Sequence, residues 1–338
     1  DLISDKLNGT SRSFNGSIYA ITGNMRALDL GVRYLDTDLN RLWEIFNTEK
    51  EVSILNGLNP PKEYQESLEI KKTIETIIEA HQESASEFIF ADLHTTSSQS
   101  CAFILINDTL DNREMAGNFP VPQVLGIEEN IHGTLLSFIN NLGYKALGFE
   151  AGAHEDKLSI ERSEAFLWLL MHHSKLYELS RKEIQSFEKK LHAHPGVPET
   201  YYDIQYHKFV EDPDFFEMIS GFENFDVIDK GTALAYEEGL LIRAPVKGRI
   251  FMPLYQKEGH DGFLIIREVP KFWLKVSAFL RKTILHNYLE YLPGVSVNDN
   301  RSYKVNPTIA RFFVKELFHL LGYRVSKKDE NTLICYRR

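Results

Sequence analysis

Cysteine is scarce in this sequence: two in 338 residues, Cys101 and Cys335, far apart and in no paired spacing. That argues against a disulfide scaffold and against a cysteine-based zinc site, and it fits a reducing compartment, so a cytoplasmic location is expected. Basic residues are outnumbered, 38 Lys and Arg against 48 Asp and Glu, and no basic stripe offsets the net charge of -10. Nucleic acid is therefore not an expected partner, although a local arginine cluster can still dominate its own cleft and take an acidic small molecule. No apolar run approaches the roughly 20 residues that cross a bilayer, so no membrane partner is expected either. A signal-peptide pattern, an internal repeat and a low-complexity tract are also missing. Residues 1–16 read as the tail of a helix and a turn at Asn15-Gly16, so the chain is expected to open inside a domain.

What is present is an ordinary globular composition, 43% hydrophobic and 25% charged, long enough for a full core and more than one domain. Ser17–Thr22 alternates like a strand and is broken by Gly23-Asn24. Residues 66–86 carry isoleucines at helical spacing. They run into the strand-like EFIFADLH, followed by a second apolar run, CAFILIN, at 101–107. IHGTLLSFINNLGY predicts a helix closed by Gly143, KALGFEAG the strand after it, and residues 161–179 a further helix. This alternation predicts an α/β sheet with helices on both faces, in which ligands gather where strands end in loops. Near residue 196 the texture changes to short alternating runs punctuated by Gly and Pro, which reads as a small all-β domain. After Pro270 it returns to helix-like sequence, ending in an apparent hairpin, YRVSKKDENTLICYRR. Three units follow: 1–195, 196–268 and a helical extension at 269–338.

DTDLNR, DLHTTSS and FEAGAHED each fall just after an apparent strand or in the loop beyond one. His94, at a strand end, can offer a neutral ring nitrogen to zinc with Asp92 fixing its tautomer; equally, a lone histidine can be a satisfied structural side chain. Glu150 is costly in an apolar strand end unless paired or functional, so it reads either as a general base on a metal-bound water or as an ion-paired residue. In RYLDTDLNR, Arg33 and Arg41 carry planar donor forks suited to carboxylates, yet the nonapeptide alone also reads as a salt-bridged turn. His154 and Glu155 read as exposed loop residues, and His172, His173 and the HAHP segment at 192–195 lack carboxylates at metal-site spacing.

In this order, GNMRAL, RYLDTDLNR, DLHTTSS and FEAG, followed by the Gly/Pro-rich β segment, resemble the succinylglutamate desuccinylase and aspartoacylase family of zinc-dependent deacylases over about residues 15–265. The resemblance implies a zinc-carboxypeptidase-like mixed sheet flanked by helices, with a small β-domain appended, and one zinc ion as cofactor. It makes His94 the third zinc ligand and Glu150 the general base. Arg33 then polarises the scissile carbonyl, and Asn40 and Arg41 clamp the substrate carboxylate. More loosely, Tyr255 corresponds to a tyrosine that closes over the substrate.

The sequence also departs from the family. The first two zinc ligands of the family come from a His-x-x-Glu segment, and no His-x-x-Glu occurs in these 338 residues; they are expected upstream of Asp1. No arginine precedes Glu150 within ten residues, which speaks against an N-acetylaspartate preference. The expected activity is zinc-dependent removal of an acyl group from an N-acyl amino acid or similar small carboxylate. The alternatives are a zinc carboxypeptidase acting on peptides and a metal-free ligand-binding relative. The C-terminal extension lies outside the resemblance and could serve self-association into a homo-oligomer.

Overall fold

All four residues of the strand Phe103–Ile106 are buried, and alternate ones serve different cores: Phe103 and Leu105 join one cluster, Ile104 and Ile106 the other. A strand buried on both faces requires a helical layer on each side. The computed structural model has both layers; it describes residues 13–46, 60–192, 196–256, 258–299, 302–310, 314–329 and 332–338.

The strands in chain order begin with β1 (Ile89–Thr96), β2 (Phe103–Ile106), β3 (Gln123–Leu125), β4 (Lys145–Ala153) and β5 (Tyr201–Phe209). They continue with β6 (Phe216–Met218), β7 (Val227–Ile228), β8 (Ala233–Glu237), β9 (Leu240–Arg243), β10 (Gly248–Phe251) and β11 (Asp261–Val269). Eight of them make one mixed sheet in the order β1-β4-β2-β3-β5-β11-β10-β7, while β6-β8-β9 form a separate three-stranded sheet. β1 runs parallel to β4, and β3 parallel to β2 and to β5; the remaining pairs are antiparallel.

Short helix α1 (Met25–Leu30) precedes α2 (Lys62–His81), α3 (Leu110–Ala116), α4 (Leu135–Asn141), α5 (Leu158–His173) and α6 (Arg181–Leu191). Ile70 and Ile74 of α2 and Leu136 and Ile139 of α4 pack on one face of the sheet, with Phe103, Leu105 and Ala146. Met115 of α3, Phe166 and Leu169 of α5 and Leu191 of α6 pack on the other, with Ile104, Ile106, Leu147 and Phe149. Helix starts are marked locally: Thr109 and Thr134 accept the amides three residues on, and Ser180 with Glu183 forms a reciprocal capping box.

The mixed sheet between helices is the expected architecture, and two details differ from expectation. Residues 17–22 are not a strand; Ile18, Tyr19 and Ile21 stay exposed, because an alternating run becomes a strand only where a neighbour takes its backbone bonds, and no described strand does. The chain near residue 196 is not a break in the sheet either. β5 pairs in parallel with β3, Gln123 opposite Tyr201, so the Gly/Pro-rich segment extends the main sheet and folds its own three strands against it. Residues 1–12, where a helix tail is expected, and 193–195 of the HAHP segment lie outside the described residues.

The C-terminal segment holds the expected helix α7 (Lys271–Arg281), a 3-10 helix at Ile284–Tyr291 and helix α8 (Val314–Leu320). The expected hairpin is β14 (Tyr323–Asp329) with β15 (Thr332–Arg337), and β12 (Val295–Asp299) and β13 (Ser302–Val305) extend it to four strands in the order β12-β13-β15-β14. Among the described residues, no helix is long and apolar enough to cross a membrane.

This segment is fastened to the main body through buried charge. Asp108 accepts from Arg113 within the body and from Arg281 at 2.6 Å and Arg338 at 2.9 Å in the C-terminal segment. Arg338 also donates to Glu128 at 2.7 Å and to Glu129, so three guanidiniums balance three carboxylates. Burial by itself would raise the Asp108 carboxyl; Arg338, Arg113 and Arg281 together outweigh that and hold it well below the ordinary carboxylate range. Removing the shared anion leaves three buried cations short of charge. Asp108→Ala is therefore expected to cost about 3–5 kcal/mol, read as a lowered denaturation midpoint in urea. Since the folded value is depressed, the stabilisation from Asp108 is present above the unfolded value of about 4 and is lost as pH falls through the folded one, so the mutational cost should shrink in strong acid.

Candidate active site

β1 and β4 lie side by side in parallel with His94 opposite Glu150. Phe90 and Ala146 belong to the core under α2 and α4, so strand alternation puts Asp92, His94 and Glu150 on that same face. Asp92 Oδ2 sits 2.9 Å from His94 Nε2, which leaves Nδ1 with no hydrogen bond among the described residues. The His94 side chain is 40% exposed yet ringed by protein; crowding would lower it, but the charge and hydrogen bond of Asp92, with the charge of Glu150, push it up to about 9. Glu150 is 5% exposed, its Oε2 has no partner, and burial raises its carboxyl above the ordinary value against the pull of His94 and Arg33.

RYLDTDLNR is a built loop. Glu63, 1% exposed in the first turn of α2, accepts the amides of Leu35 at 2.5 Å, Asp36 at 3.1 Å and Thr37 at 3.2 Å. Asp36 returns the favour by accepting the amide of Lys62, and Glu66 holds the amide of Met25 at 2.7 Å. Asp38 accepts Arg33 Nη2 at 2.8 Å and the amide of Asn40 at 2.9 Å. Asn40 Oδ1 takes the amide of Leu135 at the start of α4. Arg41 Nη2 donates to Asp261 Oδ2 at 2.6 Å, and Asp261 Oδ1 is 2.9 Å from His207 Nε2. Gly133, at a φ of +71°, lies so close to the Arg41 carbonyl oxygen that a Cβ there would collide with it.

Residues 6–165 match the model of the succinylglutamate desuccinylase/aspartoacylase catalytic domain. Two solved structures bear on the fold. One is a succinylglutamate desuccinylase/aspartoacylase from Rhodobacter sphaeroides, 13% identical, with 73% of each chain covered and a TM-score of 0.50. The other is a succinylglutamate desuccinylase from Vibrio parahaemolyticus, 16% identical, covering 80% of this chain and 76% of its own, with a TM-score of 0.54. At such identities they show a shared fold. No curated protein matches the chain by sequence. The desuccinylase/aspartoacylase domain supports a deacylase-type activity.

Within the matched residues the structure brings His94, Glu150 and Arg33 together; Arg33 and Glu150 interact electrostatically. Asn40 and Arg41 sit beyond Asp38 in the same loop, already engaged by Leu135 and Asp261. Tyr255 is turned to other work: its hydroxyl accepts the amide of Phe222 at 2.9 Å and donates toward the carbonyls of Ile219 and Phe222. His154 and Glu155 are exposed, as expected, and His154 meets Thr95 at 2.7 Å. Sequence reasoning passed over Glu63, Asp261 and His207. Glu63 had a signal, an acidic residue in the first turn after Pro60-Pro61; Asp261 and His207 had none, being far from Arg41 in the chain.

A catalytic zinc takes three protein ligands. The described residues offer one imidazole with a free Nδ1 and a tautomer fixed by Asp92, beside a carboxylate with an orphaned oxygen, and no group of three His, Cys, Asp or Glu that could hold a metal ion. His94 is fit for one corner of a site; the described set by itself does not fit the ion.

The loop's dependence on Glu63 can be measured. Glu63→Ala should cost about 2–4 kcal/mol, because three amides lose a charged acceptor, and should speed hydrogen exchange at Leu35, Asp36 and Thr37. Unchanged exchange at those amides would mean that other contacts hold the loop.

Proposed function

We propose that this protein is a cytoplasmic, zinc-dependent amidohydrolase that removes the acyl group from an N-acyl amino acid or similar small carboxylate. The observation that carries the reading is the side-by-side placement of His94 and the buried, half-unpartnered Glu150 on adjacent parallel strands, with Arg33 coupled to Glu150. The deacylase-type domain supports the reaction class.

In this reading Glu150 takes a proton from the attacking water as the water oxygen bonds to the acyl carbon. It returns that proton to the amide nitrogen as the C–N bond breaks, so a carboxylic acid and an amine leave. Burial suits it to the task by bringing its proton affinity closer to neutrality. Arg33 faces the carbonyl oxygen as negative charge develops there, while Asp38 keeps its guanidinium oriented. Asn40 and Arg41 receive the carboxylate end of the substrate, the arginine through its fork. Tyr255 closes over the substrate once its hydroxyl leaves the backbone of residues 219–222.

Zinc is part of the same proposal and rests on His94 alone among the described residues. Two further ligands, which a His-x-x-Glu segment upstream of Asp1 would supply, are needed before an ion is held, so no step above is routed through it. The single donor equally favours a second reading, a metal-free relative that binds N-acyl amino acids in the same cleft.

Hydrolysis of a panel of N-acyl amino acids and short peptides, with bound zinc measured on the same preparation, separates these readings. The deacylase reading expects turnover of the free N-acyl amino acids over peptides, and a loss of about 100-fold or more in kcat for Glu150→Gln. Full activity in that variant sinks the role of Glu150. Binding without hydrolysis or zinc establishes the metal-free relative.

A further inference from the structure

Helix α7 is held from one side. Leu274 packs on a core of the main body and Leu280 on the core of the C-terminal sheet, while Ser277 Oγ donates to the Leu320 carbonyl at 2.9 Å. Arg281 ties the last turn to Asp108. These contacts fix the helix and leave its other side to solvent, where Phe272 is 66% and Phe279 70% exposed. Positions seven apart share one stripe of a helix, and exposed Lys275 stands between them, three residues from one and four from the other. Lys271 and Lys282, also exposed, continue the lysine stripe alongside. Trp273, 49% exposed, rests against Phe272 with ring centroids 5.3 Å apart.

Charge decides what fits over this face. Residues 271–292 hold four basic side chains and one acid, Glu290, in a chain whose net charge is -10. Arg281 is engaged by Asp108, whereas Lys271, Lys275 and Lys282 make no ion pair among the described residues. A second copy fits badly, because in a twofold interface the patch faces itself and lysine would oppose lysine. An anionic lipid surface fits on both counts. Aromatic rings settle at the boundary of headgroups and acyl chains, and lysine stems lie along apolar surface while their ammonium groups reach the phosphates. The expectation of no membrane partner rests on the lack of a spanning run, which a helix lying on the surface does not need.

We propose that α7 docks the protein on anionic phospholipid surfaces, with Phe272 and Phe279 entering the headgroup region and Lys271, Lys275 and Lys282 meeting lipid phosphates. The acidic remainder of the chain is repelled by the same surface, so the α7 face is the one presented. Binding is reversible, since one short face lacks the second anchor that stable attachment takes. This docking is independent of the deacylase reading.

Sedimentation of the whole chain with vesicles tests it, using phosphatidylcholine alone and phosphatidylcholine mixed with phosphatidylglycerol at about two to one. The protein is expected to pellet with the mixed vesicles at low salt, to stay in solution with phosphatidylcholine, and to be released as salt shortens the reach of the charges. Lys271→Ala, Lys275→Ala and Lys282→Ala should each weaken partitioning about fivefold, and Phe279→Ser about tenfold. An unchanged urea midpoint in these variants shows that the fold is intact. Tryptophan emission gives a second readout: Trp43 and Trp168 are buried, so a blue shift on the mixed vesicles reports Trp273. The proposal is overturned if the two vesicle types bind alike, or if the lysine and Phe279 variants pellet as the unaltered protein does. Self-association that Phe279→Ser abolishes, with no vesicle binding, would instead assign the face to a second copy.

Discussion

Glu63 sits in the first turn of α2 and gathers three consecutive backbone amides from the loop that carries Arg33, Asn40 and Arg41. A nine-residue segment with four charged side chains would otherwise have no reason to keep one shape, since each charge is as well served by water. Three amides on one buried carboxylate fix the backbone, and the side chains then find their partners in sequence. The result is a row of alternating charge from the sheet outward, Glu150, Arg33, Asp38, Arg41 and Asp261, with the His207 ring against the far oxygen of Asp261. Each member is stabilised by its neighbours of opposite sign. A substrate must enter this row by replacing or extending a contact that already exists.

The row also explains why Asp38 and Asp261 stay ionised despite burial. Desolvation pushes both carboxyls up; Arg33 and Arg41 outweigh it at Asp38, and His207 with Arg41 holds Asp261 at about 2. Glu150 sits at the other end, where burial wins and its carboxyl rises. One site thus contains carboxylates tuned in opposite directions, which is the physical condition for giving them different tasks.

Much of this could be read from the sequence because the informative features are local. EFIFADLH and KALGFEAG carry the apolar density of buried strands, and His94 and Glu150 are the polar residues late in each. The pairing that sets them face to face needs register, which no single strand encodes. Ser17–Thr22 shows the converse: alternation alone suggested a strand, but the backbone bonds that make one must come from elsewhere. The partner of Arg41 was out of reach for the same reason, since Asp261 and His207 arrive through the pairing of β5 with β11. RYLDTDLNR read in isolation as a salt-bridged turn; it is one, and its bridges occupy the groups that the family resemblance assigns to substrate.

Arg338 and Asp108 are 230 residues apart, and the buried charge cluster between them has a consequence for biosynthesis. The main sheet can assemble as the chain emerges, but Asp108, Glu128 and Glu129 then wait for Arg338. At ordinary translation speeds the delay is roughly ten to fifty seconds. Throughout that interval the three acids are short of cation and must stay hydrated, so the surface that later receives α7 and β15 remains wet and open. The closing of this cluster therefore waits on a cation encoded 230 residues after its first anion.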